Sequence, residues 1–192
     1  PLTVLSGESK NALIKNTNVS VGGTFSFRGG EEWLSGIKTT FLQVINDPGV
    51  NSKITAQTFE LCSMTSGNST TLLLGHGAKL NAPKIYIYTH TPGSNSTLML
   101  GDITSKDPNY GVTTELVEMF GKGSNKILFN NAHRGNSAEE ASIPIYGVGT
   151  VEIQSGRTVF SKSSGYKGRT LIDNGSTLIL KSTASAGYSS IT

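Results

Sequence analysis

The chain has 192 residues and a net charge of +3, which is far below the charge of a nucleic-acid-binding surface, so nucleic acid is not expected as a partner. Only 35% of the residues are hydrophobic and 15% are charged, while glycine occurs 23 times, and this composition argues against a helical bundle or coiled coil. The chain contains no run of about 20 apolar residues, so membrane insertion by this chain is not expected either.

The first 50 residues are predicted to form an irregular N-terminal cap together with the first strands of the fold. Val19–Val21 and Thr24–Phe27 have the pattern of strands interrupted by two glycines. Trp33–Asn46 carries apolar residues at helical spacing, which predicts a short amphipathic helix ending before Asp47. One interpretation is that this segment covers an open end of the core. The alternative places Trp33 on a binding surface, because exposed aromatic side chains are favoured anchors.

Two strands are predicted next, at Thr58–Met64 and Lys84–Thr89. The first contains Cys62, the only cysteine, which we expect to be a small buried core residue. Isoleucine and tyrosine alternate in the second strand, so inward isoleucines would leave Tyr86 and Tyr88 as an exposed aromatic pair. Ordinary stacking of these tyrosines on neighbouring strands is the alternative.

Two polar stretches, Asp102–Gly111 and Asn130–Ile145, are predicted to be loops that project from the strands. Long polar loops on a regular scaffold are where recognition tends to occur. The second loop is therefore a candidate binding site. Its candidate residues are His133, Arg134, Glu139 and Glu140.

A short apolar run preceded by glycine, serine or asparagine recurs along the chain at steps of about 24 to 29 residues, which is the mark of a repeat fold. The positions taken as equivalent are Leu72, Leu98, Ile127, Val151 and Leu178.

Short alternating segments separated by glycine turns fill the last of these repeats and leave no room for a helix. They are Thr150–Gln154, Arg157–Ser161, Arg169–Asp173 and Ser176–Lys181. This pattern predicts an all-β fold, a parallel β-helix whose rungs occupy residues 51–192 as one continuous domain. The inward residues are predicted to be Val151, Ile153, Val159, Leu171 or Ile172, Leu178 and Leu180.

Residues 149–180 resemble the passenger-associated repeat of bacterial autotransporters. The resemblance consists of a glycine-led apolar strand at Gly149–Gly156, the element Tyr166-x-Gly168-x-Thr170, and a closing strand at Gly175–Leu178. It extends more loosely back to about Gly67.

The resemblance implies a right-handed parallel β-helix that forms part of a longer passenger, exported by a Gram-negative bacterium and either secreted or displayed on the cell surface. Such passengers act as virulence factors that bind a protein receptor on the surface of host cells. Some are released pro-angiogenic ligands, and others are adhesins, self-association factors or passive stalks. The sequence does not choose among these classes.

Enzyme activity is not expected, because the chain lacks a Gly-x-Ser-x-Gly nucleophile motif. The three histidines lack metal-binding spacing, and neither a metal nor another cofactor is predicted. A polysaccharide-active β-helix enzyme stays as the less favoured alternative. Its acids would be drawn from Asp102, Glu115, Glu118 and Glu152.

The C-terminal part carries several cations that stacking of the strands would align into a mildly basic stripe able to bind a heparan-type polysaccharide. The alternative is a solvated face that blocks edge pairing. The residues of this stripe are Arg157, Lys162, Lys167 and Arg169.

Overall fold

The computed structural model describes residues 2–5, 11–30, 39–102, 110–131, 139–141, 143–181, 184–188 and 190–192, with the backbone path alone for 2–5 and 139–141. The regular structure of these residues is entirely β-strand, which confirms the all-β prediction. Within the same ranges, no helix is long and apolar enough to cross a membrane. The strands are β1 (Leu2–Leu5), β2 (Asn11–Lys15), β3 (Val19–Gly29), β4 (Thr39–Ile45), β5 (Lys53–Ser63), β6 (Ser69–Leu74), β7 (Ala78–Asn81), β8 (Lys84–Thr89), β9 (Asn95–Leu100), β10 (Tyr110–Thr113), β11 (Leu116–Gly121), β12 (Ser124–Asn130), β13 (Glu139–Ala141), β14 (Ile145–Ser155), β15 (Arg157–Phe160), β16 (Ser163–Ile172), β17 (Thr177–Leu180), β18 (Ser185–Ala186) and β19 (Ser190–Ile191).

The strand pairs among these residues are all parallel, and they form three ladders. Ladder A runs through β1, β3, β5, β8, β11 and the start of β14. Ladder B runs through β2, β4, β6, β9, β12 and the later part of β14. Ladder C consists of two sets that belong to separate sheets: the starts of β3 and β5 with β7 and β10, and then β13, β15 and β17. The start of β16 continues ladder A and pairs with β18, and its later part continues ladder B and pairs with β19. The chain visits A, B and C in that order and then returns to A.

The recurring apolar runs are successive strands of ladder B, and this explains most of the repeat. Four of the predicted equivalent positions pair in sequence: Leu72, Leu98, Ile127 and Val151. The fifth is wrong, because Val151 pairs with Thr170, whereas Leu178 pairs with Thr158 in ladder C. The β17 run has the same local alternation as a ladder B strand, so only the pairing separates them.

The core consists of inward columns in which each side chain packs on its equivalent in the neighbouring strand. In ladder A the Phe25 and Phe59 rings stack with centroids 5.3 Å apart and planes 11° from parallel. Full burial of one such apolar side chain contributes about 1.5 to 3 kcal/mol. Val151 and Ile153 are buried as predicted, and Leu180 pairs with the buried Phe160 in the inward column, although Leu180 itself is 42% exposed. Leu180 ends the edge strand of its three-stranded sheet, where no further strand covers it.

The described part of the N-terminal segment is built from strands that continue the ladders. The strands β1 to β4 pair in register with the strands that follow, across residue 50. The helix predicted over Trp33–Asn46 is wrong from Thr39 onward, because Thr39–Ile45 is strand β4, and residues 33–38 lie outside the described residues. Its burial alternates with a period of two, with Leu42 and Val44 inward, and its β-branched residues favour the extended backbone. The predicted interruption of β3 is seen as a register shift between Val21 and Thr24.

Strand residues occupy described parts of both stretches that were predicted to be loops. Within Asn130–Ile145, residues 139–141 form strand β13, which pairs with β15. Asn131 is buried and its Nδ2 donates a hydrogen bond to Thr158 Oγ1 at 2.8 Å. Within Asp102–Gly111, strand β10 already begins at Tyr110, which is 8% exposed. Buried residues at the ends of both stretches anchor them to the ladders.

The Tyr166-x-Gly168-x-Thr170 element forms the corner where β16 passes from ladder A to ladder B. The Tyr166 side chain is fully buried, and its hydroxyl lies 2.5 Å from Thr170 Oγ1. Gly168 has a φ of +139°, and a Cβ at this position would lie 2.1 Å from the carbonyl oxygen of Gly149. The element therefore has a direct structural role, because a larger residue cannot occupy the corner.

We expect Gly168→Ala to lower the free energy of unfolding by at least about 2 kcal/mol more than Gly175→Ala, because overpacking against backbone adds to the backbone strain. Gly175 is the matched control, since it also has a positive φ (+82°) but nothing within 4 Å of its Cβ position. Urea unfolding of the two variants measures the difference. Equal destabilisation would show that the contact with Gly149 is unimportant.

Candidate functional site

The outward side of ladder A is built by the alternation in β8. Ile85 and Ile87 are fully buried, and the tyrosines between and after them lie on the opposite side of the strand and are half-buried. The isoleucines of β8 therefore face inward. Tyr86 and Tyr88 therefore form part of the outer surface.

Three aromatic side chains meet on this outer side, and we call Tyr86, Tyr88 and Phe120 the aromatic patch. Phe120 pairs with Tyr88 in the register of β11 and β8, and their rings stack with centroids 5.1 Å apart and planes 4° from parallel. Tyr86 meets Phe120 edge-on, with centroids 5.8 Å apart. The tyrosines thus stack on a neighbouring strand, as the alternative interpretation held. Phe120 is nevertheless 41% exposed.

Charged groups flank the aromatic patch in the same two outward columns. Glu60 pairs with Tyr86 in the strand register, and its carboxylate accepts a hydrogen bond of 2.7 Å from Ser26 Oγ. The Arg28 guanidinium lies 3.7 Å from the same carboxylate. On the other side Glu118 pairs with Tyr86. An apolar centre is thereby bordered by groups of both charges, the usual arrangement of a protein-binding surface.

Tyr88 is the aromatic patch residue whose pKa is shifted from its usual value. Burial raises its pKa, and a hydrogen bond with Cys62 raises it further. Cys62 is fully buried, as predicted, and its Sγ lies 3.2 Å from Met64 Sδ. The register, however, places Cys62 in the outward column of Arg28 and Tyr88, and not with the inward Leu61. Because the pKa of Tyr88 is raised, its phenol stays neutral well into the alkaline range.

The residues of the predicted basic stripe are exposed but do not stack on one another. Arg157 pairs with Thr177 in ladder C, and Lys162 lies in the turn before β16. Lys167 pairs with Val148, and Arg169 pairs with Thr150 and Ser190. Only Lys167 and Arg169 are close neighbours, on either side of Gly168. The structure brings together a pair of cations at one corner instead of a stripe of four.

The remaining predicted site residues fall largely beyond what the structure describes. Trp33, His133 and Arg134 lie outside the described residues. Glu139 and Glu140 belong to strand β13, where their backbones pair with Thr158 and Val159.

The acidic residues considered for catalysis are dispersed. Asp102 lies 2.9 Å from His76 Nε2, and the Glu152 carboxylate lies 2.6 Å from Lys126 Nζ. In the described part of the chain, no three His, Cys, Asp or Glu side chains are grouped so that they could hold a metal ion.

Comparisons with protein-family models, with curated proteins and with solved structures gave no match for this chain.

Phe120 is the aromatic patch residue that the sequence analysis missed. The run Leu116–Gly121 alternates as a strand, with Val117 and Met119 buried, so its outward position is visible in the sequence. Its contact with Tyr88 is not, because 31 residues separate the two side chains and the intervening segment has no regular spacing. The register of β11 against β8 is needed to bring the rings together.

We expect Tyr88 to make the protein less stable as the pH rises above about 10. In the unfolded chain the phenol ionises near pH 10, while the raised pKa keeps it protonated in the folded protein. Ionisation therefore stabilises only the unfolded state, and the free energy of unfolding falls as the pH rises. The loss should be less than about 1.4 kcal/mol per pH unit, since the side chain is only half-buried.

Urea unfolding between pH 8 and about pH 11 measures this dependence. Tyr88→Phe should flatten the alkaline fall, and the control Tyr188→Phe, at a position 83% exposed, should leave it as in the unaltered protein. An identical alkaline fall in the Tyr88→Phe variant would contradict the assignment.

Proposed function

We propose that the three ladders wrap into a right-handed parallel β-helix and that the chain is part of an autotransporter passenger. The recurrent order of ladders A, B and C supports a coil. Crossovers between parallel strands are right-handed in nearly all proteins, which supports the handedness. The resemblance of residues 149–180 to the passenger-associated repeat supports the family.

We further propose that this passenger is secreted or displayed on the bacterial surface and binds a host cell-surface protein receptor as a virulence factor. The observation that carries this proposal is the aromatic patch. Exposed aromatic side chains are the commonest anchors of protein interfaces. Here they are held by mutual stacking on a paired sheet, so little side-chain freedom is lost on binding.

Among the receptor-binding classes, a released pro-angiogenic ligand is the form of the proposal that we favour. An adhesin or self-association factor would bind a different partner through the same aromatic patch, and a passive stalk would bind nothing through it. A polysaccharide-active enzyme is the least favoured alternative. For heparan-type polysaccharide, the supporting feature is the exposed pair Lys167 and Arg169 at one corner of β16.

Binding of the labelled, purified protein to endothelial and epithelial cells tests the proposal. We expect the double variant Tyr86→Ala/Phe120→Ala to reduce saturable binding at least about tenfold, because interface anchors contribute most of the binding energy. The matched control is Leu13→Ala, which removes an apolar side chain that is 57% exposed on β2 in ladder B.

Heparin competition and the double variant Lys167→Ala/Arg169→Ala distinguish binding to a protein receptor from binding to a heparan-type polysaccharide. Binding that survives heparin but falls in the aromatic variant would support a protein receptor. Binding that is lost with heparin and with the two cations would move the site to the β16 corner. Absence of saturable binding by the unaltered protein would overturn the receptor proposal, and concentration-dependent dimerisation lost in the aromatic variant would favour self-association.

A further inference from the structure

A groove with a volume of about 350 Å³ lies beside β14, β16 and β18, apart from the residues of the aromatic patch. Two tyrosines, Tyr146 and Tyr188, and three serines, Ser163, Ser164 and Ser185, line it together with two glycines. Neither tyrosine is needed in the core, since Tyr146 is 43% exposed and Tyr188 is 83% exposed. The groove is thus a mixed aromatic and hydroxyl surface.

The groove exists because an outward tyrosine of β14 is paired with a glycine in the next strand, β16. Tyr146 pairs with Gly165 in the register of β14 and β16. A Cβ at residue 165 would lie 2.8 Å from Tyr146 Cδ1 and 3.0 Å from Cε1. The ring therefore lies against bare backbone. Gly187, which follows β18, likewise leaves the backbone of β16 uncovered. A Cβ at residue 187 would lie 2.5 Å from the Tyr166 carbonyl oxygen.

The groove keeps hydrogen-bonding capacity of both kinds. The Ser164 hydroxyl does not contribute to it, because Ser164 Oγ accepts a bond of 3.2 Å from the Ile145 amide and its side chain lies on the inward side of β16 with the buried Tyr166. Ser185 Oγ donates to the Ser164 carbonyl at 3.0 Å, so its lone pairs remain for acceptance. The tyrosine hydroxyls add groups that both donate and accept.

The charge of the groove restricts the ligand further. The described residues that line it include no charged side chain, although Lys162 and Lys167 flank the β16 segment in sequence. A neutral groove offers no pairing for a sulfate or carboxylate group. Aromatic faces with alternating donors and acceptors suit a molecule that has an apolar face and many hydroxyls.

We propose that this groove binds an uncharged hexose unit of a glycan, with the sugar ring against Tyr146 and Tyr188 and its hydroxyls bonded to Ser185 and to the tyrosine hydroxyls. The volume lies at the lower end of the range for small-ligand pockets, so it suits one or two sugar rings. The site is distinct from the aromatic patch. It holds whether or not that patch binds a protein receptor.

Amide chemical-shift titration of the isotope-labelled protein with four neutral disaccharides tests the site: lactose, maltose, cellobiose and diacetylchitobiose. Glucuronic acid is the charged comparison. We expect at least one disaccharide to shift the amides of 163–165 and 185–188 saturably, with a dissociation constant of about 0.1 to 10 mM. Glucuronic acid should leave these amides unchanged.

The variants Tyr146→Ala and Tyr188→Ala should each weaken this binding at least about fivefold, and Tyr86→Ala in the aromatic patch should leave it unchanged. Tyr188→Ala keeps the test decisive if Tyr146→Ala fails to fold, because the Tyr188 side chain is largely outside the core. Absence of saturable shifts with all four disaccharides would overturn the proposal. So would binding that persists unchanged in the Tyr188→Ala variant, or a preference for glucuronic acid.

Discussion

Parallel, in-register hydrogen bonding between successive strands of each ladder is the constraint on which the rest of the structure depends. It sets each side chain one strand spacing, about 4.8 Å, from its equivalent in the next strand. Phe25 then stacks on Phe59 inside, and Tyr88 stacks on Phe120 outside. A slip of one residue would exchange the inner and outer columns, so the buried columns also fix the outer surface.

The same constraint requires the chain to turn sharply between ladders without leaving buried polar groups unpaired. Side chains satisfy this requirement at the corners: Asn68 Oδ1 accepts hydrogen bonds from Ser63 Oγ at 2.5 Å and from Thr70 Oγ1 at 2.9 Å. At a later corner the asparagine is the donor, because Asn131 Nδ2 donates a hydrogen bond of 2.8 Å to Thr158 Oγ1. These buried polar contacts make each corner specific, because an unsatisfied buried group costs about 1 to 3 kcal/mol.

The outer surface acquires two distinct features from the size of the residue that follows an aromatic side chain in a column. Where Tyr88 is followed by Phe120, the rings stack and form the aromatic patch. Where Tyr146 is followed by Gly165, the missing side chain leaves a groove. A flat patch suits a protein partner, and a groove suits a small polar ligand, so one scaffold presents two kinds of surface.

The sequence by itself determined the all-β class and the spacing of the ladder B strands, because these depend on local alternation and glycine turns. It did not determine the pairing of Leu178, the strand at Thr39–Ile45 or the contact of Phe120 with Tyr88. Short apolar runs have the same local pattern in every ladder and even resemble a helix face. Only the tertiary hydrogen bonds select the partner strand, and that selection decided which outward side chains meet.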